Sequence, residues 1–478
     1  MPAINSDSVR IDRSLLALVG VLLVGASVAL LDTTIVAVAI ADLTRAFNSS
    51  VQAAQWATTA YLLAMAAAIP MMGWLTGRWG PRRVWLVTLW VFLIGSILCG
   101  LAWSIESLIA FRVVQGLGGG LILPLVQAML ARAAGPRRVG RVMGLIGIPG
   151  QLAPILGPVL GGMILGSLGW RWIFVVNAPL CLLALVLAYR HLHPVHERQP
   201  AGLDWIGALL MVAATVAVLV GLSLIDDLSA VAIVPLVGGV VLLAGFVLHA
   251  KRRGDRALLD LKLFRCRSFS IAIVMMFLSG VCLYGPMLLL PLFYQQARGL
   301  PVAEVGWMLA PQGLGFLAGL WVAGRYADRY GPRIVALAGT VLAGTGLGMF
   351  VFAGGASLTV LSAGLVALGA GLGSIGVAVS ATSYRDVEPV SIPHATSLLN
   401  VVQRIGASFG TVVVALILHR RLAALVASGS SGIDTAFAHA FAWTLGFLGV
   451  ALVIVLLLPK DPPPPPTDVR DPEMRTTT

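Results

Sequence analysis

Gly73-Trp-Leu-Thr-Gly-Arg-Trp-Gly-Pro-Arg-Arg-Val84 returns further along the chain as Gly324-Arg-Tyr-Ala-Asp-Arg-Tyr-Gly-Pro-Arg-Ile-Val335. Gly73, Arg78, Gly80, Pro81, Arg82 and Val84 are matched by Gly324, Arg329, Gly331, Pro332, Arg333 and Val335. Each copy is a short basic turn between two long apolar runs. These identities, at corresponding places in the hydropathy pattern, point to two halves built alike in the same orientation. Parallel halves around a midplane site are a transporter architecture.

The composition agrees. Of 478 residues, 58% are hydrophobic and only 11% charged, with a mean hydropathy of +0.94. Soluble domains carry roughly 25% charged residues, so this chain lacks the polar side chains to cover a water-facing surface. Most of its outside must face lipid. A span takes about 20 apolar residues, and the runs of that length are 14–39, 55–73, 84–103, 107–131, 141–166, 172–190, 204–224, 230–250, 269–294, 304–324, 333–353, 358–380, 397–419 and 437–458. The first is too long for a cleaved signal peptide. About fourteen transmembrane helices follow, and an even number puts both ends on one side.

Of the 32 Lys and Arg, 25 fall on the side of the termini. Five fall on the other (Arg45, Arg171, Arg298, Arg420 and Arg421), and Arg112 and Arg404 lie inside spans. This bias places both termini in the cytoplasm. It also accounts for the net charge of +12 without a nucleic-acid partner. The expected organisation is all-α. An N-terminal six-helix bundle (1–190) is followed by two inserted helices and a cytoplasmic linker (191–268). A C-terminal six-helix bundle (269–458) and a disordered, Pro-rich cytoplasmic tail (459–478) complete it.

An ionisable side chain inside a span is expensive and marks a functional site by default. Asp32 is the one acid well inside a span. Arg112, Gln115, Gly116 and Gly119 share one helix face, and Asn400, Gln403, Arg404, Ala407, Ser408 and Thr411 keep the same period. Such polar stripes face a bundle interior or a wet cavity. Structural roles stay open: each Arg could bond loose backbone carbonyls, and Asp32 could cap a helix near the outer surface. In the fifth span Gly147, Gly150, Gln151, Pro154, Gly157, Pro158, Gly161 and Gly162 form a stripe of mostly small residues that lets a neighbouring backbone come close. Its prolines favour kinks.

The four cysteines lack metal-ligand spacing, and His191, His193 and His196 read as a solvated loop. The chain contains no Gly-x4-Gly-Lys-Ser/Thr, His-Glu-x-x-His or Gly-x-Ser-x-Gly. ATP-driven work and enzyme chemistry of those kinds are therefore not expected, and neither is a metal or other cofactor.

These motifs resemble those of the major facilitator superfamily, and specifically its fourteen-span drug:proton antiporters. Leu31-Asp-Thr-Thr-Ile-Val36 is similar to that family's span 1 signature. The Gly73–Val84 and Gly324–Val335 segments are similar to its gating loops, although Gly77 stands where the family has Asp; the second copy keeps Asp328. Arg112-Val-Val-Gln-Gly-Leu-Gly118 resembles a motif linked in the family to proton coupling. Gly157-Pro-Val-Leu-Gly-Gly162 resembles the antiporter motif, and Trp170–Pro179 a stretch typical of the fourteen-span branch.

The resemblance implies a proton-coupled antiporter. It would export amphipathic or cationic drugs by alternating access, with the proton gradient as its energy source. Asp32 and Arg112 would couple protons. Burial in apolar surroundings favours the protonated form of a carboxyl, as a proton carrier requires. Gln55, Trp56, Tyr61, Gln115, Tyr284, Tyr294, Asn400, Gln403 and Arg404 are the candidates for a substrate cavity. The expected setting is a monomer in the lipid bilayer of a bacterial cytoplasmic membrane. The alternatives are an exporter dedicated to one metabolite, lipid or siderophore; a proton-coupled importer, against which the Gly157–Gly162 motif argues; and a receptor or membrane enzyme.

Overall fold

The computed structural model describes residues 13–193, 202, 204–223, 230–254, 257–258, 261–352, 357–428 and 432–458. Its α-helices are α1 (Arg13–Val38), α2 (Ile40–Ala46), α3 (Val51–Ala68), α4 (Met72–Trp79), α5 (Pro81–Gly100), α6 (Ile105–Ser167), α7 (Trp172–Val175), α8 (Asn177–His191), α9 (Trp205–Ser223), α10 (Ala230–Arg253), α11 (Arg267–Leu292), α12 (Val302–Tyr330), α13 (Pro332–Val351), α14 (Leu358–Ser383), α15 (Ile392–Ser428) and α16 (Ile433–Val455). No strand occurs among the described residues. In lipid each backbone N–H and C=O must be satisfied within its own segment, which a helix does.

Thirteen helices among the described residues are long and apolar enough to cross a membrane. They coincide with all the expected runs except 141–166. That run lies in the second part of α6, a helix of 63 residues. At 1.5 Å per residue such a helix would extend roughly 95 Å, about three bilayer cores. Gly135, at φ 67° and ψ 172°, breaks it into two arms.

The two repeated turns share a backbone as well as a sequence. Gly80 (φ 78°, ψ 152°) and Gly331 (φ 85°, ψ 156°) take up the same conformation, one that glycine alone adopts readily. Pro81 and Pro332 then open α5 and α13, where a missing N–H costs nothing. Gly135-Pro136-Arg137-Arg138-Val139 is a third turn of the same kind. The tail 459–478 and His196 lie outside the described residues, as do the side chains of Pro158, Asp328 and Arg329.

At the end that carries the loops, the two halves touch. Ser397 Oγ on α15 donates to the Ile69 carbonyl at 2.7 Å. Asn400 Nδ2 donates to Gln127 Oε1 at 2.7 Å. A Cβ at Gly144 would lie 3.2 Å from the Leu320 carbonyl, so α6 and α12 meet closely there. The His394 ring packs over Gly73, leaving no room for a Cβ. By contrast, Gly77 has open space around it. Arg82 Nη2 donates to the Tyr189 carbonyl at 3.2 Å, within its own half. Arg333 sits beside Arg267 and the end of α16.

The inserted pair α9–α10 is tied into this seam. Asp204, buried just before α9, accepts hydrogen bonds from Gly207 N (3.0 Å) and Leu258 N (3.1 Å), and lies 2.8 Å from His249 Nε2. Arg253 Nε stands 3.7 Å away. The Leu258 carbonyl in turn lies 3.0 Å from His394 Nδ1. One backbone residue thus links the insert to the side chain that covers Gly73. Burial pushes the Asp204 carboxyl up, but the hydrogen bonds with His249, Gly207 and Leu258 outweigh it and hold it below the usual range.

A depressed carboxyl stabilises the fold above its unfolded pKa and loses that contribution as pH falls through the folded value. Thermal unfolding of the wild type should therefore weaken with acidification below about pH 4 more steeply than that of Asp204→Asn. Parallel pH profiles for the two proteins would contradict this.

Candidate functional site

The polar interior of the N-terminal half is assembled around one carboxylate. Ser104 and Ser107 form a capping box that fixes the start of α6, which places Arg112 about two turns below its end. Gln115 follows one turn later on the same face. Glycines then allow neighbouring helices to reach this face. A Cβ at Gly116 would sit 2.5 Å from the Tyr61 carbonyl, and one at Gly119 2.6 Å from the Tyr61 hydroxyl. A Cβ at Gly95 on α5 would sit 2.6 Å from Gln115 N.

With the helices this close, the polar groups meet. Arg112 Nη1 donates to Asp32 Oδ2 at 2.6 Å and to Gln115 Oε1 at 2.7 Å, while its Nε donates to the Ala57 carbonyl at 3.2 Å. Asp32 Oδ1 accepts from Gln115 Nε2 at 2.9 Å and from Asn177 Nδ2 at 2.8 Å. Ser96 Oγ accepts from Asn177 Nδ2 (3.0 Å) and Gln115 Nε2 (3.2 Å), and donates to the Phe174 carbonyl (2.9 Å). The Arg112 guanidinium stacks 3.9 Å from the centre of the Tyr61 ring. Asp32, Arg112, Gln115 and Ser96 have no accessible surface, and Asn177 almost none.

Three donors converge on Asp32, an arrangement that suits its ionised form. Protonation would add an O–H that needs an acceptor of its own and remove the charge that draws the three donors. Arg112 Nη2, Asn177 Oδ1 and the Tyr61 hydroxyl have no hydrogen-bond partner among the described residues. The cluster therefore holds unused capacity for a second arrangement.

The small-residue stripe meets the same helix. A Cβ at Gly157 would collide with Thr34, two residues along α1 from Asp32, and one at Gly161 would lie 3.5 Å from Ile35. Gly162 faces open space. Thus α1 is clasped between the two arms of α6, with Asp32 bonded to the first and Thr34 pressed on the second.

The cavity candidates scatter. Tyr61 and Gln115 belong to the buried network, not to a cavity wall. Tyr294 lies in a π-turn at the end of α11 that folds it into an aromatic core with Phe293 and Phe350. Asn400 is in the seam with Gln127. Gln55 and Trp56 are exposed. Tyr284 is 40% exposed, and Gln403 and Arg404 are half-buried on α15. Asn177 and Ser96 were missed. Asn177 stood inside the quoted Trp170–Pro179 stretch, whereas Ser96 is a small hydroxyl in an apolar span and gave no signal.

The family model of the Major Facilitator Superfamily matches residues 22–411, and again 272–476. The chain belongs to the major facilitator superfamily. It is a multi-pass membrane transporter that carries small molecules, not an enzyme. A multidrug resistance protein B homolog of Mycobacterium tuberculosis is 37% identical over 416 residues, covering 86% of this chain and 77% of that one. Multidrug resistance protein 3 of Bacillus subtilis is 31% identical, covering 64% of this chain and 60% of that one. Among solved structures, a bacterial homologue of the iron transporter ferroportin in an outward-facing state superposes with a TM-score of 0.63 at 14% identity, covering 93% and 99% of the two chains. The proton:xylose symporter XylE does so at 0.61 and 16%, covering 91% and 95%. At such identities these two share the fold alone.

The close approach at Gly157 makes a graded expectation. Gly157→Leu should cut transport by at least about tenfold at matched membrane levels. Gly162→Leu, with open space, should leave it near wild type. Equal losses in the two variants would contradict the packing described.

Proposed function

We propose that this superfamily member is a proton-coupled antiporter that exports amphipathic drugs from the cytoplasm by alternating access. The observation that carries this is the buried Asp32–Arg112 pair. It is the one acid–base pair deep among the described spans, and it is braced by amides from α6 and α8. Proton arrival at Asp32 removes the charge that Arg112, Gln115 and Asn177 converge on. The hydrogen bonds between α1, α6 and α8 must then rearrange. Because Thr34 is locked against Gly157, a shift of α1 moves the second arm of α6. That arm touches α12 of the other half at Gly144. A change of protonation state thereby reaches the seam between the halves.

The names of the relatives support drug efflux. The setting would be a monomer in a bacterial cytoplasmic membrane, with both termini in the cytoplasm and the two halves (1–190 and 269–458) rocking around the cavity. The gating loops at Gly73–Val84 and Gly324–Val335 would then close its cytoplasmic end. No cofactor is needed; the proton gradient is the energy source. A symporter shares the fold, so the direction of flux rests on the Gly157–Gly162 stripe.

Inverted vesicles test this directly. Adding substrate should dissipate an imposed pH gradient in the wild type and fail to do so in Asp32→Asn. Arg112→Lys should recover little, because an ammonium cannot bond Asp32, Gln115 and the Ala57 carbonyl at once as the fork does. Wild-type proton exchange by Asp32→Asn would overturn the proposal.

A further inference from the structure

One charge inside the C-terminal half is not the one a cation exporter would need. Arg404 lies near the middle of α15, well inside a candidate span, yet keeps part of its surface accessible. A side chain surrounded by protein and still reached by solvent lines a recess. One and two turns before it on α15, Asn400 and Ser397 bond Gln127 and the Ile69 carbonyl of the N-terminal half. Arg404 therefore sits where the halves face each other.

Among the described residues Arg404 has no counter-ion: it makes no hydrogen bond and no ion pair there. This excludes the role of tying down loose backbone. Asp32 cannot serve it either, since both of its oxygens are committed to Arg112, Gln115 and Asn177. Nor can Arg404 easily retreat. A Cβ at Gly280 would crowd the backbone of Gln403 and one at Gly406 that of Phe277, so α11 and α15 are pressed together on either side of it. Five residues further along α15, Phe409 packs with Phe277 and Phe447 into an aromatic cluster.

An unpaired guanidinium in a low-dielectric recess is costly unless something neutralises it. A planar fork of donors is matched by an oxyanion, above all a carboxylate. A cationic guest would add like charge to a site whose only other deep charges cancel.

We propose that Arg404 anchors the oxyanion of the substrate, so that the transporter favours amphipathic acids over amphipathic cations. This rests on the export reading above but is tested apart from it. Matched xanthene dyes provide the probe: fluorescein, an anion, and rhodamine 123, a cation of similar size and shape. Anisotropy of each dye with the purified full-length protein reads binding, and uptake into inverted vesicles reads export.

The wild type should bind fluorescein at least about tenfold more tightly than rhodamine 123. Arg404→Gln should abolish that preference without weakening rhodamine 123, and Arg404→Lys should keep part of it. Tighter or equal binding of rhodamine 123, binding of neither dye, or an unchanged preference in Arg404→Gln would overturn the proposal. Arg404-dependent fluorescein binding without proton-driven uptake would uphold the anchor and overturn export instead.

Discussion

A single ion pair organises the N-terminal half. Asp32 and Arg112 meet at 2.6 Å with neither side chain accessible, in a region where water cannot compensate a lone charge. Removing one member of such a pair leaves the other uncompensated, a loss of roughly 3–5 kcal/mol in soluble proteins. The rest of the half follows from holding that pair. Gln115 and Asn177 fill the remaining acceptor sites of Asp32, Ser96 orients both amides, and the Tyr61 ring covers the guanidinium. Four spans and the backbone of α3 thus converge on one carboxylate.

That convergence depends on the absence of side chains elsewhere. Gly95, Gly116 and Gly119 remove bulk where α3, α5 and α6 must come within hydrogen-bonding reach of one another. Gly157 does the same on the opposite side of α1. In lipid, where burial of apolar surface gives helices little reason to associate, such close backbone packing is a principal source of affinity between them. Polar residues and glycines therefore alternate along α6 as two parts of one device.

Much of this was legible in the sequence, for identifiable reasons. Span positions follow from hydropathy because lipid leaves the backbone little choice. The repeat was visible because Gly80 and Gly331 occupy a conformation that other residues avoid, so both had to stay glycine. Asp32 and Arg112 stood out because charge in a span is rare. Their partnership did not, since 80 positions separate them and no periodicity links α1 to α6. Tyr61 and Tyr294 were assigned to a cavity on residue type alone, whereas helix rotation and a π-turn bury them. The tie from Asp204 through Leu258 to His394 was invisible, because it runs through a backbone group in a linker.

Proton exchange at Asp32 is the centre of the account, and purified protein in weakly buffered detergent measures it without any membrane potential. Addition of a transported drug should release protons from the wild type, in an amount that falls to nothing in Asp32→Asn. Undiminished release from the Asp32→Asn protein would place the exchanging group elsewhere and contradict the account.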